Sequence, residues 1–204
     1  MPAIFSRAHA APFVLISMLM LPGCSQLLAM VGIEEPAFQT LKKEGDFELR
    51  QYPGFIVAET YVSGTLEEAS NAGFKAIADY IFGNNLSVAN AGTEKIAMTA
   101  PVTTEQVGDR WRVHFVMPSK YTLATLPKPV NPQVQLRKVA GNKVATLRFS
   151  GVSSAEKMKL KTAELQAWMK QQGLVENAAP QLARYNPPIT PSFMRRNEIL
   201  MGVQ

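Results

Sequence analysis

Residues 47–64, FELRQYPGFIVAETYVSG, return 87 positions later as VQLRKVAGNKVATLRFSG, residues 134–151, without a gap. The identities are Leu49/Leu136, Arg50/Arg137, Gly54/Gly141, Val57/Val144, Ala58/Ala145, Ser63/Ser150 and Gly64/Gly151. At the same offset Pro101-Val102-Thr103 falls on Pro188-Ile189-Thr190. Equal patterns of apolar and turn residues select equal local structure, so the chain is expected to use one supersecondary unit twice. With 204 residues the two copies share one domain, and a multidomain enzyme does not fit.

Each copy reads as β-β-α-β-β. A strand at 47–52 or 134–139 meets a turn at Gly54 or Gly141, where positive φ is expected, and the chain returns as a second strand ending at Ser-Gly. A helix follows at 66–82 and again at 153–172. Leu66, Ala69, Gly73, Ile77 and Ile81 keep helical spacing in the first, and Met158, Leu165, Trp168 and Met169 do so less regularly in the second. Ser153 and Ser154 are candidate caps. Strands at 96–107 with 110–118, and at 181–188 with 194–203, close the halves, which span about 38–119 and 133–204. The join at 119–132 carries Pro127, Pro129 and Pro132. The expected fold class is α+β: eight antiparallel strands in a twisted barrel, with two flanking helices.

Alternation assigns the faces. Trp111, Val113, Phe115 and Met117 form a packed face, and Arg110, Arg112, His114 and Val116 a wetter one. In the second half Ala145, Leu147 and Phe149 face the core. Their counterparts are Ala58, Thr60 and Val62, which leaves Phe55, Val57, Glu59 and Tyr61 on the opposite side.

Residues 1–24 lie outside this pattern. They carry Arg7 and no acidic residue, an apolar run from Phe13 to Leu21, and then Pro22-Gly23-Cys24. This reads as a secretory signal, since nine apolar residues are too few for a spanning helix of roughly twenty. Cys24 is the sole cysteine and has no internal disulfide partner. The segment resembles a bacterial lipoprotein signal, which implies acylation of Cys24. Ser25 in place of Asp implies the outer membrane, facing the periplasm. Residues 25–37 then form a tether before a domain at 38–204.

The formal charge is +5, but the basic residues occur as pairs and spaced triplets, with no long stripe interleaved with aromatics. A nucleic-acid partner is not expected. Nor does the chain contain G-x-S-x-G, H-E-x-x-H, a glycine-rich phosphate loop or a metal-ligand cluster, so no enzyme is expected and no metal site is assigned.

The run Lys95-Ile96-Ala97-Met98-Thr99-Ala100-Pro101-Val102, with Tyr185-Asn186-Pro187-Pro188 and Arg195-Arg196-Asn197-Glu198, resembles the SOUL heme-binding family from about Phe38 to Val203. That resemblance implies a twisted eight-stranded barrel with two helices. It also implies a tetrapyrrole bound in a shallow apolar groove near the first helix. By position in that groove the contacts are Phe74, Ile77, Ile81, Met98 and Met194, with Lys75 and Arg195 toward the propionates. His114 is the one histidine beyond the signal. Its place on the wetter strand face argues against axial ligation, so heme would be held without a side-chain ligand to iron. A second reading rests on Glu59, because the fold is also similar to gyrase-inhibitor-like domains that bind cationic or lipophilic small molecules. A third is an envelope interaction protein without a small ligand.

Overall fold

The computed structural model describes residues 33–204. The signal segment, Cys24 and the first part of the expected tether lie outside the described residues. In chain order the elements are β1 (Gln39–Glu44), β2 (Phe47–Tyr52), β3 (Phe55–Val62), α1 (Leu66–Ile81), β4 (Asn85–Leu86), β5 (Val102–Val107) and β6 (Arg110–Val116). There follow β7 (Lys128–Pro129), β8 (Gln135–Val139), β9 (Asn142–Phe149), α2 (Ala155–Gln171), β10 (Gln181–Arg184), a 3-10 turn (Ser192–Met194) and β11 (Asn197–Val203).

Both helices start where their caps dictate. Thr65 Oγ1 accepts from the Glu68 N–H at 3.3 Å, and Glu68 Oε2 accepts from the Thr65 N–H at 2.9 Å, which satisfies two end donors reciprocally. Ser154 Oγ accepts from the Lys157 N–H at 3.2 Å. α1 buries Leu66, Ala69, Gly73, Ile77, Tyr80 and Ile81. Gly73 lets it approach closely, because a Cβ there would lie 2.5 Å from Val113 Cβ. α2 buries Met158, Leu165, Trp168 and Met169. Trp168 stacks on Phe47 with centroids 5.4 Å apart.

Nine strands form one antiparallel sheet in the order β1-β2-β9-β11-β10-β5-β6-β3-β8, and β4 pairs separately with β7. The class is α+β as expected, but the sheet is not a closed barrel: β1 and β8 are its edges. Nor is the first pair of strands in each half a hairpin. β2 pairs with β9 and β3 with β8, so the two halves exchange strands. Neither Gly54 nor Gly141 takes the positive φ expected of it. A two-residue hairpin needs that conformation, and without it the chain runs on instead of turning back. Val102-Thr103 and Ile189-Thr190 are not structural equivalents either, since the former open β5 and the latter lie in the β10–β11 loop.

The helices lie on one face of the sheet, over two apolar clusters. One gathers Ala145, Leu147, Ile199 and Met201 with α2, and the other Ala58, Val113 and Phe115 with α1. The opposite face is also buried, although no helix among the described residues covers it: Val57, Glu59, Thr103, His114, Thr146, Ala183 and Glu198 are all shielded. The sheet therefore folds over this face, drawn together where the β2–β3 and β8–β9 connections touch at Gly54 and Gly141.

Candidate functional site

A cleft of about 620 Å³ opens where β3 begins and β6 ends. Phe55, Ile56, Val116 and Met117 are among its apolar lining, and Tyr121, Leu123, Lys138 and Glu34 also border it. β3 and β6 place the lining residues together because Val57 stands opposite Val116 and the Met117 N–H donates to the Ile56 carbonyl at 2.7 Å. Pro118 ends β6, and the segment beyond it brings Tyr121 and Leu123 to the opening.

The polar groups of the wall are largely spoken for. Tyr121 donates from its hydroxyl to Glu94 Oε1 at 2.5 Å. Burial, and then Glu94, push the phenol up to about 12, so it stays neutral near neutral pH. Glu34 accepts from the Ser119 N–H at 2.7 Å, and its carbonyl accepts from the Ala100 N–H at 2.9 Å. Residues 34–37, expected to belong to the tether, are thus a wall of the cleft. Lys138 is exposed and makes no ion pair among the described residues.

Behind Val116 the buried face becomes ionic. Glu59, 2% exposed, receives Arg137 Nε at 2.9 Å and Nη2 at 2.8 Å. Arg112 approaches Glu59 at 3.9 Å and Glu105 at 2.8 Å. His114 stands between Glu59 and Thr103 in register. It is buried rather than wet, because the sheet covers the face that alternation assigned to solvent. Burial, with Arg112 and Arg137 adding to it, lowers its pKa to about 3, and Nδ1 has no hydrogen-bond partner among the described residues. A second cluster centres on fully buried Glu198, which accepts from Arg50 at 2.7 Å, Arg196 at 2.9 Å and Tyr185 at 2.8 Å. Burial pushes that carboxyl up, but these donors outweigh it and hold it below its usual range.

The residues assigned to a groove beside α1 do not converge on this cleft. Ile77 and Ile81 are 0% and 1% exposed beneath the helix. Phe74 is half-buried against Phe115, with centroids 5.6 Å apart, and Met98 packs on the same cluster. Lys75 lies exposed on α1. Met194 is 63% exposed in the β10–β11 loop, and Arg195 donates to the Thr190 and Pro188 carbonyls of that loop. None of the seven lines the cleft, but Met117, Ile56 and Tyr121 belong both to it and to the cluster under α1. Phe55, Val116 and Met117 were legible as residues of strand faces, but alternation did not gather them into a cleft with Pro53 and the Tyr121-Leu123 stretch.

A flat apolar ring suits the lining, and Lys138 suits a carboxylate at its edge. Iron finds less. Among the described residues no group of three His, Cys, Asp or Glu side chains converges, Tyr121 is engaged by Glu94, and His114 is not in the wall.

The model of a family described as SOUL heme-binding protein matches residues 33–202. The comparison with curated proteins found no match. Among solved structures, the EcmrR C-terminal domain aligns with a TM-score of 0.57 at 11% identity, over 82% of this chain and 98% of that one. A hydrolase from Listeria innocua aligns with a TM-score of 0.56 at 12% identity, over 80% and 94%. At such identities the likeness shows a shared fold and nothing of chemistry.

Proposed function

Because the chain belongs to the SOUL heme-binding protein family, with residues 33–202 matched, we propose that its domain binds heme or a comparable flat tetrapyrrole in the cleft, without catalysis. The observation that carries this is the cleft itself: about 620 Å³ with Phe55, Ile56, Val116 and Met117 in its lining, beside a buried face that carries the Glu59 ion pairs. Volumes of roughly 300–1,000 Å³ are typical of small-molecule sites. Every 100 Å² of apolar ligand surface buried there contributes about 2.5 kcal/mol before the costs of association. Lys138 would pair with a carboxylate, and no side chain of the wall is assigned to the iron.

In this reading Cys24 is acylated and holds the domain at the outer membrane, facing the periplasm. The two halves are copies of one unit, supported by their register: Arg50 stands opposite Val144, and Arg137, 87 residues on, opposite Val57. Glu59 is not the receptor of a cationic ligand, since Arg137 already occupies both of its oxygens.

Titration with hemin followed by absorbance tests the binding. A saturable Soret shift is expected, weakened about tenfold or more by Leu123→Asp. That substitution sets a charge on a half-exposed rim, where it does not threaten the core. No shift, or equal shifts in both proteins, would remove the cleft as the heme site.

A further inference from the structure

The β10–β11 loop holds three large apolar side chains in water. Ile189 is 91% exposed, Phe193 77% and Met194 63%. Their backbone is tied in place. Arg195 donates from Nε to the Thr190 carbonyl at 2.8 Å and from Nη2 to the Pro188 carbonyl at 2.6 Å. The Thr190 N–H donates to the Pro187 carbonyl at 3.0 Å and the Met194 N–H to the Pro191 carbonyl at 2.9 Å. The Gly151 N–H donates to the Ser192 carbonyl at 3.0 Å, which joins the neighbouring connection and its exposed Val152 to the same tip. With three prolines also fixing φ, the loop does not fold these side chains inward.

The base of the loop shows where the incoming chain joins it. Arg196 Nη1 holds both oxygens of Glu35 at 3.0 Å, and Glu34, its neighbour, lines the cleft. The chain arriving from Cys24 therefore joins the domain at the foot of this loop and beside the cleft. Ten residues lie between Cys24 and Glu35, a reach over eleven steps of at most roughly 36–40 Å. Residues 186–196, NPPITPSFMRR, contain no carboxylate; Arg196 is spent on Glu35 and Glu198, but Arg195 donates only to neutral carbonyls and keeps its positive charge at the loop, which suits an anionic lipid surface. Exposed apolar side chains on a fixed loop are what interfacial segments bury roughly 5–10 Å deep at the headgroup boundary.

We infer that Ile189, Phe193 and Met194 insert into the bilayer surface and so set the mouth of the cleft against lipid. The direction of arrival rests on the proposed anchor at Cys24. A lipophilic ligand then enters from the membrane without crossing water.

The test uses the acylated full chain in vesicles of phosphatidylethanolamine and phosphatidylglycerol. Phe193→Cys carries an environment-sensitive fluorophore, and Asp109→Cys, in the exposed β5–β6 turn, carries the same label as a control. Acylated Cys24 does not compete for the label. Doxyl-labelled lipid is expected to quench the label at 193 several-fold and to leave that at 109 unchanged. Equal, weak quenching at both sites on protein that floats with the vesicles would overturn the inference and leave the anchor standing. Protein that does not float would remove both. Emission at 193 that shifts with protein density but ignores quenching lipid would assign the tip to a second copy of the chain, against the inference.

Discussion

Gly54 and Gly141 meet backbone to backbone where the β2–β3 and β8–β9 connections cross. A Cβ on Gly141 would stand 2.9 Å from the Tyr52 carbonyl oxygen and 3.2 Å from Gly54 N, and one on Gly54 would stand 3.1 Å from the Val139 carbonyl oxygen. The pair is glycine because two chains pass through one place, not because either residue adopts a left-handed conformation. Gly141→Ala is therefore expected to cost on the order of 1–3 kcal/mol, and Gly54→Ala less, because its tightest contact is looser. Urea unfolding of the two variants checks this. Loss confined to the Gly54 variant would mean that the crossing is misplaced.

Arg137 neutralises a carboxylate that has almost no water. Arg137→Met leaves Glu59 with only Arg112, at 3.9 Å, and should destabilise by about 2–4 kcal/mol, toward the lower end because water reaches the outer edge of Arg137. Adding Glu59→Leu should recover most of that loss, since a buried pair replaced by apolar groups costs little. A double variant no more stable than the single one would show that Glu59 is not what Arg137 compensates.

His114 links stability to pH. Its folded pKa lies near 3, below the ordinary 6.5, so between those values the unfolded chain binds the extra proton and the folded chain does not. Stability contributed by the neutral ring is present above about pH 6.5 and lost as pH falls toward 3. Arg112 and Arg137 act in the same direction, while Glu59 and Glu105 face the same space. Glu198, with its carboxyl below the usual range, adds a loss at lower pH, beneath the normal carboxylate region. His114→Gln should flatten the upper part of this profile and leave the lower part. A His114→Gln profile superimposable on wild type would refute the assignment.

The helices were readable because spacing and caps are local: the stripe from Leu66 to Ile81 and the cap candidates Ser153 and Ser154, of which Ser154 serves, point to one conformation. The face carrying Ala145, Leu147 and Phe149 was readable for the same reason. β1 was not, because QTLKKE is exposed throughout and does not alternate, and its lysines belong to a protected sheet edge. His114 misled because alternation separates two faces without saying whether the second is wet. Here distant strands fold over it. The cleft escaped because its walls join the ends of β3 and β6 to connections at 34–37, 53–54 and 117–123, and no periodicity operates across such junctions.

The anchor is tested by removing one sulfur. Cys24 is the sole thiol and ends a segment that resembles a lipoprotein signal. Cys24→Ser should move the folded domain from the membrane fraction to the soluble fraction, read by fractionation and by circular dichroism of the released protein. Tip insertion alone is too weak to retain it, since even one acyl chain gives only marginal binding. Full retention of the substituted protein would exclude acylation as the anchor.

Binding by surface and binding by coordination separate at three residues. His114 is buried behind the lining on β6, and Tyr121 keeps its phenol bonded to Glu94, so His114→Ala and Tyr121→Phe should both leave the heme spectrum almost unchanged. Tyr121→Phe keeps the apolar ring in the wall and removes only the hydroxyl, so affinity should shift by no more than about 1 kcal/mol. Leu123→Asp touches no donor to iron, yet it should weaken binding most, because in the proposed reading the ligand is held by the apolar area that the charge disrupts. Spectra and affinities measured on one preparation, with stability checked by urea, decide the matter. A folded His114→Ala or Tyr121→Phe protein that has lost its Soret shift, beside a Leu123→Asp protein that retains it, would replace the apolar cleft with axial ligation as the source of binding.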